Sequence, residues 1–339
     1  MTCFEWLKQT AADWYGLEVT GAVQVRDAWR LDTQAGPKSF KQVDASVEKV
    51  RFVAAAVQHI IDNGFSHTVP FIKASTGQYV LDLPEGVFYL TDWIPGREGD
   101  FSRLEDVLSA TRVLAEFHKS SRGFVPPDDA KSKESWGELP AEWQNHLRSL
   151  EHYREIARGA PNDEFNSLYL HCCDKYLSRC TLAIKILAGC DYPALVDEAR
   201  KQGGLCHRDY TYHNFIVDPK NKLYLIDFDY CTQEIRTYDI GRYARKVAKH
   251  FAWQLNPVKL ALEVYDREAH LSSDEIIFIL AFLHFPQRFW RIVSRHFVPA
   301  NKGQDFLRQL RHELKTQQAE ENFLQLLAGE ISRGVLTRR

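Results

Sequence analysis

Asp209 and Asn214 stand five residues apart behind a His-Arg pair, in Cys206-His207-Arg208-Asp209-Tyr210-Thr211-Tyr212-His213-Asn214. Thirteen residues further on, Asp227 closes the apolar run Leu223-Tyr224-Leu225-Ile226. A carboxylate and an amide that can be brought together make an oxygen donor set for a hard divalent cation such as Mg²⁺. A cation held in this way bridges the phosphates of ATP, and a further carboxylate can accept the proton of an attacking hydroxyl and hold that oxygen in line with the γ-phosphorus. Asn214 and Asp227 suit the metal, and Asp209 suits the proton. The spacing is H-R-D-x-x-x-x-N, that of a phosphoryl-transfer catalytic loop. A polar turn between two strands would show some of the same residues. Here, however, short β-type runs at 215–217 and 223–228 flank the turn Asp218-Pro219-Lys220-Asn221, the strand-loop-strand arrangement that delivers Asp227.

Those residues need a scaffold, and the chain predicts one in two parts. Alternation over Val23-Gln24-Val25, its continuation from Ala28 to Asp32, and Ser39 to Val43 after the turn Gln34-Ala35-Gly36-Pro37 read as short strands. Apolar residues at Val47, Val50, Val53, Ala54, Val57, Ile60 and Ile61 follow a helical period that stops at Asn63-Gly64. Strands over 77–83 and 87–93 flank Pro84-Glu85-Gly86, and Ile94-Pro95-Gly96 breaks the pattern. Beyond it, helical periodicity dominates: Leu104 to His118, then 141–158, 163–187, 193–201, and most of the chain from Tyr238 on. The expectation is an α+β, bilobal fold, with a small antiparallel-sheet lobe over 1–94 and a mostly helical lobe over 95–339.

The catalytic stretch, together with Ile226-Asp227-Phe228-Asp229-Tyr230-Cys231, Arg236-Thr237-Tyr238-Asp239-Ile240, Tyr89 to Arg97 and Leu114-Ala115-Glu116-Phe117-His118, resembles the aminoglycoside phosphotransferase and choline kinase branch of the protein-kinase-like superfamily. Within that branch the same stretches look most like the CotS-type spore-coat proteins of endospore-forming bacteria. The resemblance implies an ATP site in the small lobe. Lys41 would bind the α- and β-phosphates, Glu48 would be its ion-pair partner, and the backbone near Asp92, Trp93 and Ile94 would read the adenine edge. It also implies that Asp229 assists a second metal and that Asp239 either braces the catalytic loop or caps a helix. Two functions then stand side by side. One is transfer of the ATP γ-phosphate to a hydroxyl of a small molecule or sugar. The other is a coat structural or assembly protein that keeps the fold with little turnover, made in the mother-cell cytoplasm and incorporated in the spore coat among other coat proteins.

Departures from the superfamily narrow the reading. Between Val19 and Leu31 the sole glycine is Gly21, so no G-x-G-x-x-G lid is present. Asp227 is followed by Phe228-Asp229, and about a dozen residues later comes Asp239, which leaves no room for an activation loop. These features argue against a regulated protein kinase.

Composition excludes other classes. With 43 Lys+Arg against 45 Asp+Glu the formal charge is −2, and no run of like charge suggests nucleic acid. No apolar stretch approaches the roughly 20 residues of a membrane span. The seven cysteines include no C-x-x-C pair, which predicts reduced thiols in a cytoplasmic setting. His171-Cys172-Cys173 with Cys180 lies in a helical pattern and reads as buried thiols beside a surface histidine rather than as a zinc site. Phe282, Phe285, Phe289 and Trp290 read as helix-packing core. Arg288, Arg291 and Arg295 form a basic strip, for which solvated surface is the default.

Overall fold

A computed structural model describes residues 2–132, 136–298 and 305–334. The chain divides into two compact units. The first comprises Met1–Asp100, Ser109–Glu134 and Arg200–Glu234, and the second Phe101–Leu108, Ser135–Ala199 and Ile235–Arg339. The first unit therefore extends beyond Ile94 and takes in two later segments, the second of which carries the stretch from His207 to Asn214.

The first unit begins with α1 (Cys3–Tyr15), β1 (Val19–Val25), β2 (Ala28–Thr33), β3 (Lys38–Val43), α2 (Val47–Asp62), β4 (Val80–Leu83), β5 (Gly86–Asp92) and β6 (Arg97–Glu98). Helix α1 went unforeseen, because charged residues interrupt its apolar pattern and it buries only the narrow stripe Leu7, Thr10 and Ala11. It is well specified locally all the same. Thr2 and Glu5 form a reciprocal capping box, and Gly16 ends the helix in the left-handed conformation. The sheet is antiparallel in the order β1-β2-β3-β5-β4. Its core is aromatic: Phe40 and Phe88 stack at 5.1 Å, and Trp6 of α1 packs against both. Ser46 caps α2, whose Val50, Phe52, Val53, Ala56, Val57 and Ile60 are buried.

Next come α3 (Leu104–Ser120), α4 (Leu139–Gly159), α5 (Glu164–Leu187) and α6 (Tyr192–Gln202), at the helical stretches expected. The chain re-enters the first unit for β7 (Leu205–Cys206), β8 (Phe215–Val217), β9 (Leu223–Leu225) and β10 (Thr232–Gln233). β7 pairs with β10, and β6 joins the β8–β9 hairpin as a third strand. That last pairing depends on Gly96, with φ near 158°, because a Cβ there would overlap the Val217 carbonyl oxygen and the Ile216 side chain.

The second unit is helical, with α7 (Thr237–His250), α8 (Leu255–Glu268), α9 (Ser273–His284), α10 (Gln287–Phe297), α11 (Phe306–Lys315) and α12 (Gln317–Ser332) completing it. Stacks of Trp143 on Phe285 at 4.4 Å and of Tyr176 on Phe289 at 3.6 Å anchor its core. Phe285 and Phe289 are thus packing residues, as expected. Glu320 of α12 accepts two hydrogen bonds from Arg179, at 2.9 and 3.2 Å, and faces Arg245 at 3.8 Å; all three side chains are largely withdrawn from solvent. Arg245 also donates to the carbonyls of Leu283 and Phe285 at the end of α9, where the helix leaves acceptors unpaired. Cys172, Cys173 and Cys180 are buried, and burial pushes the Cys172 and Cys180 thiols up to about 12, so they stay protonated. Of the basic strip, Arg288 pairs with Glu313 at 3.1 Å, while Arg291 and Arg295 are exposed. Among the described residues no single helix is long and apolar enough to cross a membrane.

Candidate active site

The stretch from His207 to Asn214 is held by its own histidine. His207 is buried. Its Nε2 lies 3.1 Å from the Ile226 carbonyl and its Nδ1 accepts the Asp209 amide at 3.3 Å, an arrangement met by the neutral ring with its proton on Nε2. One imidazole thereby links the backbone at Asp209 to the residue preceding Asp227. The main chain adds a second link, with the Ile226 amide donating to the Asn214 carbonyl at 3.0 Å. Asn214 Nδ2 donates to the Asp209 backbone oxygen at 2.9 Å and to its carboxylate Oδ2 at 3.0 Å. With Nδ2 committed in this way, the amide oxygen of Asn214 is the atom left for a cation. Arg208 and Asp227 both adopt left-handed backbone, at φ 68° and 64°, a strain that recurs at functional turns.

Asp227 emerges from β9, which is itself tied back to the first half of the unit. The Leu225 amide donates to the His67 carbonyl at 2.7 Å, and His67 Nδ1 lies 2.5 Å from the Leu223 carbonyl. The result is that Asp227 and Asp229 face β3. Lys41, on that strand, places its ammonium 2.8 Å from Asp227, 2.9 Å from Asp229 and 3.0 Å from Asp27 in the β1–β2 turn. Burial pulls the Lys41 pKa down, but the carboxylates of Asp229 and Asp227 outweigh it and hold the ammonium well above its ordinary range. Asp229 is raised. Burial is the main cause and Asp227 adds repulsion, against the pull of Lys41. Asp227 Oδ1 is buried against the Lys41 ammonium at 2.8 Å, and a carboxylate oxygen with two lone pairs keeps acceptor capacity beyond that one contact.

Lys41, Asp27 and Asp227 line a cavity of about 300 Å³ within the first unit, a size proper to small-molecule sites, while Asp229 contacts Lys41 but does not line it. Lys41, Asn214 and Asp227 make part of the lining polar, together with Arg26, Glu98 and His213. The lining also carries the apolar side chains Ala28, Val57, Val69, Phe71, Ile216 and Ile226. Asp92, Trp93 and Ile94 border the cavity. Their backbone is partly engaged already, since the Trp93 amide donates to the Pro37 carbonyl at 3.0 Å and Asp92 is opposite Lys38 in the β3–β5 ladder, where their side chains also pair at 2.5 Å. Asp209 does not line the cavity; Asn214 connects it to the lining.

Glu48 is not brought to Lys41. It lies exposed in the first turn of α2, held below its ordinary pKa by hydrogen bonds from its own backbone and from Ser46. The buried side of α2 starts at Val50, and position 48 is turned by roughly 200° from it at 100° per residue. Its neighbour Lys49 points inward instead, to the Cys231 carbonyl and, at 3.2 Å, to Ser132 Oγ. Sequence reasoning missed Asp27. The available signal was strand register: Lys41 pairs with Ala28 across the β2–β3 ladder, which sets the Arg26-Asp27 turn beside it. Asp239 is buried third in α7, where Arg236 is the capping residue, so Asp239 is not that helix's N-cap.

Comparison with known proteins accords with this geometry. The family model described as "Spore coat putative kinase YutH" matches residues 8–327. Spore coat protein S of Bacillus subtilis (strain 168) is 23% identical over 306 residues, which are 89% of this chain and 87% of that protein. Among solved structures, an aminoglycoside phosphotransferase from Alicyclobacillus acidocaldarius superposes with a TM-score of 0.81 at 21% identity, covering 93% of both chains. Spectinomycin phosphotransferase APH(9)-Ia, solved with ADP and spectinomycin, gives 0.60 at 15% identity over 95% of this chain and 97% of that one. At these identities the structural likeness establishes the α+β kinase-like fold.

Proposed function

The chain belongs to the YutH family of the spore coat, and from that premise we propose that it is a spore-coat-associated phosphotransferase, moving the γ-phosphate of ATP to a hydroxyl of a small molecule or sugar. The observation that carries this reading is the convergence on one cavity of Lys41, Asp227 and Asn214, with Asp209 hydrogen-bonded to Asn214. The donor set fits Mg²⁺ by its chemistry: two carboxylates and an amide oxygen, all hard oxygen donors. Asp227, Asn214 and Asp229 would hold the ion, which supplies charge neutralisation along the phosphates. The ammonium of Lys41 contributes a fixed positive charge to the same phosphates. Asp209 accepts the acceptor's proton on its carboxylate, which the Asn214 amide keeps oriented. The apolar side chains of the lining receive the base, and backbone groups near Asp92 and Ile94 remain the candidates to read its edge. Synthesis in the mother-cell cytoplasm and incorporation in the coat accord with the spore-coat relative.

A screen for transfer of labelled phosphate from Mg-ATP to sugars, amino alcohols, aminoglycosides and purified coat proteins tests the proposal. Transfer to one acceptor, abolished in Asp209→Asn, is the expected result. If no acceptor is labelled although the nucleotide binds, the second reading gains, that of a coat structural protein with little turnover. Its specific support is the absence of a glycine lid together with Asp27, a protein carboxylate, lying on Lys41.

A further inference from the structure

The turn between β1 and β2 is two residues long, Arg26-Asp27, and both line the cavity. Arg26 has φ 56°, and a two-residue hairpin turn with left-handed backbone at its first position ordinarily carries glycine there. The strained residue instead sends a guanidinium to the polar part of the cavity lining. Its Nη2 lies 2.9 Å from His213 Nδ1 and pairs with the Glu98 carboxylate, while His213 Nδ1 is itself 3.1 Å from Glu98. Burial works against Glu98 ionisation, but hydrogen bonds from His213 and Arg26 hold its carboxyl below the ordinary range. His213 adjoins Asn214, so the arginine is parked next to the proposed metal ligands. The second turn residue, Asp27, sits on Lys41 at 3.0 Å. Of the three carboxylates around that ammonium, the Asp27 side chain is 63% exposed against 25% for Asp227 and 17% for Asp229, which makes it the one able to leave.

We propose that the β1–β2 turn is a charged phosphate clamp: Arg26 takes the terminal phosphate of a nucleoside triphosphate, and Asp27 yields Lys41 to the phosphates. The inference rests on the nucleotide reading above and deepens it. Each cation exchanges a carboxylate for phosphate oxygens, so neither is left without a counter-charge, and the planar guanidinium matches phosphate geometry. A side chain thereby does what backbone N–H groups do in a glycine-rich loop.

The test is calorimetric titration of the full chain with Mg-ADP and with the Mg complex of the non-hydrolysable triphosphate AMP-PNP. Arg26→Gly suits the left-handed backbone and should fold. It is expected to weaken AMP-PNP about tenfold while changing ADP by less than about threefold. Arg26→Lys should recover part of the loss, and Asp27→Asn should tighten both nucleotides. The clamp is overturned if Arg26→Gly leaves AMP-PNP binding at the wild-type value, if it weakens both nucleotides equally, or if Asp27→Asn weakens them. Wild-type protein that binds neither nucleotide defeats the nucleotide reading and the clamp with it. Wild-type binding with an indifferent Arg26→Gly defeats the clamp alone.

Discussion

Asp227→Asn separates what the residue does for folding from what it does for a ligand. The left-handed backbone at φ 64° is tolerated by Asn better than by most residues, whereas Asp227→Ala carries a penalty of about 1–2 kcal/mol. Losing the carboxylate removes one of three ion pairs on Lys41, but those to Asp229 and Asp27 remain. It also relieves the repulsion that helps hold the Asp229 carboxyl above its ordinary value. With the Asp227 side chain 25% exposed, gain and loss are each of the order of 1 kcal/mol and opposed in sign, so the apo stability of the variant should stay within about 1 kcal/mol of wild type. Ligand binding has no such compensation. A nucleotide at a hundred times its Kd adds about 2.7 kcal/mol, which at 2–4 °C per kcal/mol raises the melting temperature by about 5–10 °C. Scanning calorimetry of wild type and variant, with and without Mg-AMP-PNP, should show near-coincident apo transitions, a shift in the wild type that EDTA removes, and none in Asp227→Asn. A variant that keeps the full Mg-dependent shift refutes Asp227 as the metal carboxylate. A variant that melts far below wild type without ligand refutes the charge argument.

Three other outcomes follow from the packing. Glu320→Gln leaves Arg179 and Arg245 buried without their carboxylate and should cost about 3–5 kcal/mol, read as a fall in melting temperature of the order of 10 °C; a change under about 1 °C would show that the cluster contributes nothing. Gly96→Ala forces a Cβ onto the Val217 carbonyl oxygen and should destabilise by at least about 2 kcal/mol while weakening nucleotide binding, because Gly96 also borders the cavity. His146 is pushed down to about 4 by burial, and His284 likewise by burial, with Arg179 and Arg245 adding repulsion. Both are neutral in the native state, whereas the unfolded chain binds their protons below about pH 6.5. Stability is therefore fully present above that pH and falls as pH drops towards 4, by at most about 1.4 kcal/mol per pH unit for each ring and less where solvent reaches it. Urea unfolding between pH 7 and 5 should show a smaller loss in the His146→Gln/His284→Gln double variant than in wild type.

The candidate site was legible in the chain where its parts are local. Asp209, Asn214 and Asp227 lie within one loop and the hairpin that follows, where spacing dictates position, and His207 with the Ile226–Asn214 bond needs no distant partner. The helical lobe was legible for a related reason, since α3 to α6 each announce themselves through a regular apolar period. The charge partners of Lys41 were another matter. Local reasoning offered Glu48, the nearest glutamate in the next helix, but the phase of α2 turns it to solvent. Asp27, Asp227 and Asp229 reach Lys41 only because β2 lies beside β3 and because His67 docks the β8–β9 hairpin on the same unit. The pairs of Lys41 with Asp227 and Asp229 join residues nearly two hundred positions apart, with no periodicity to report them, whereas Asp27 is close in sequence and is placed by the hairpin register. Sequence thus specified the local loop and its donor groups, while the tertiary structure decided which carboxylates neutralise the lysine, because Coulomb energy depends on distance in space and not on separation along the chain.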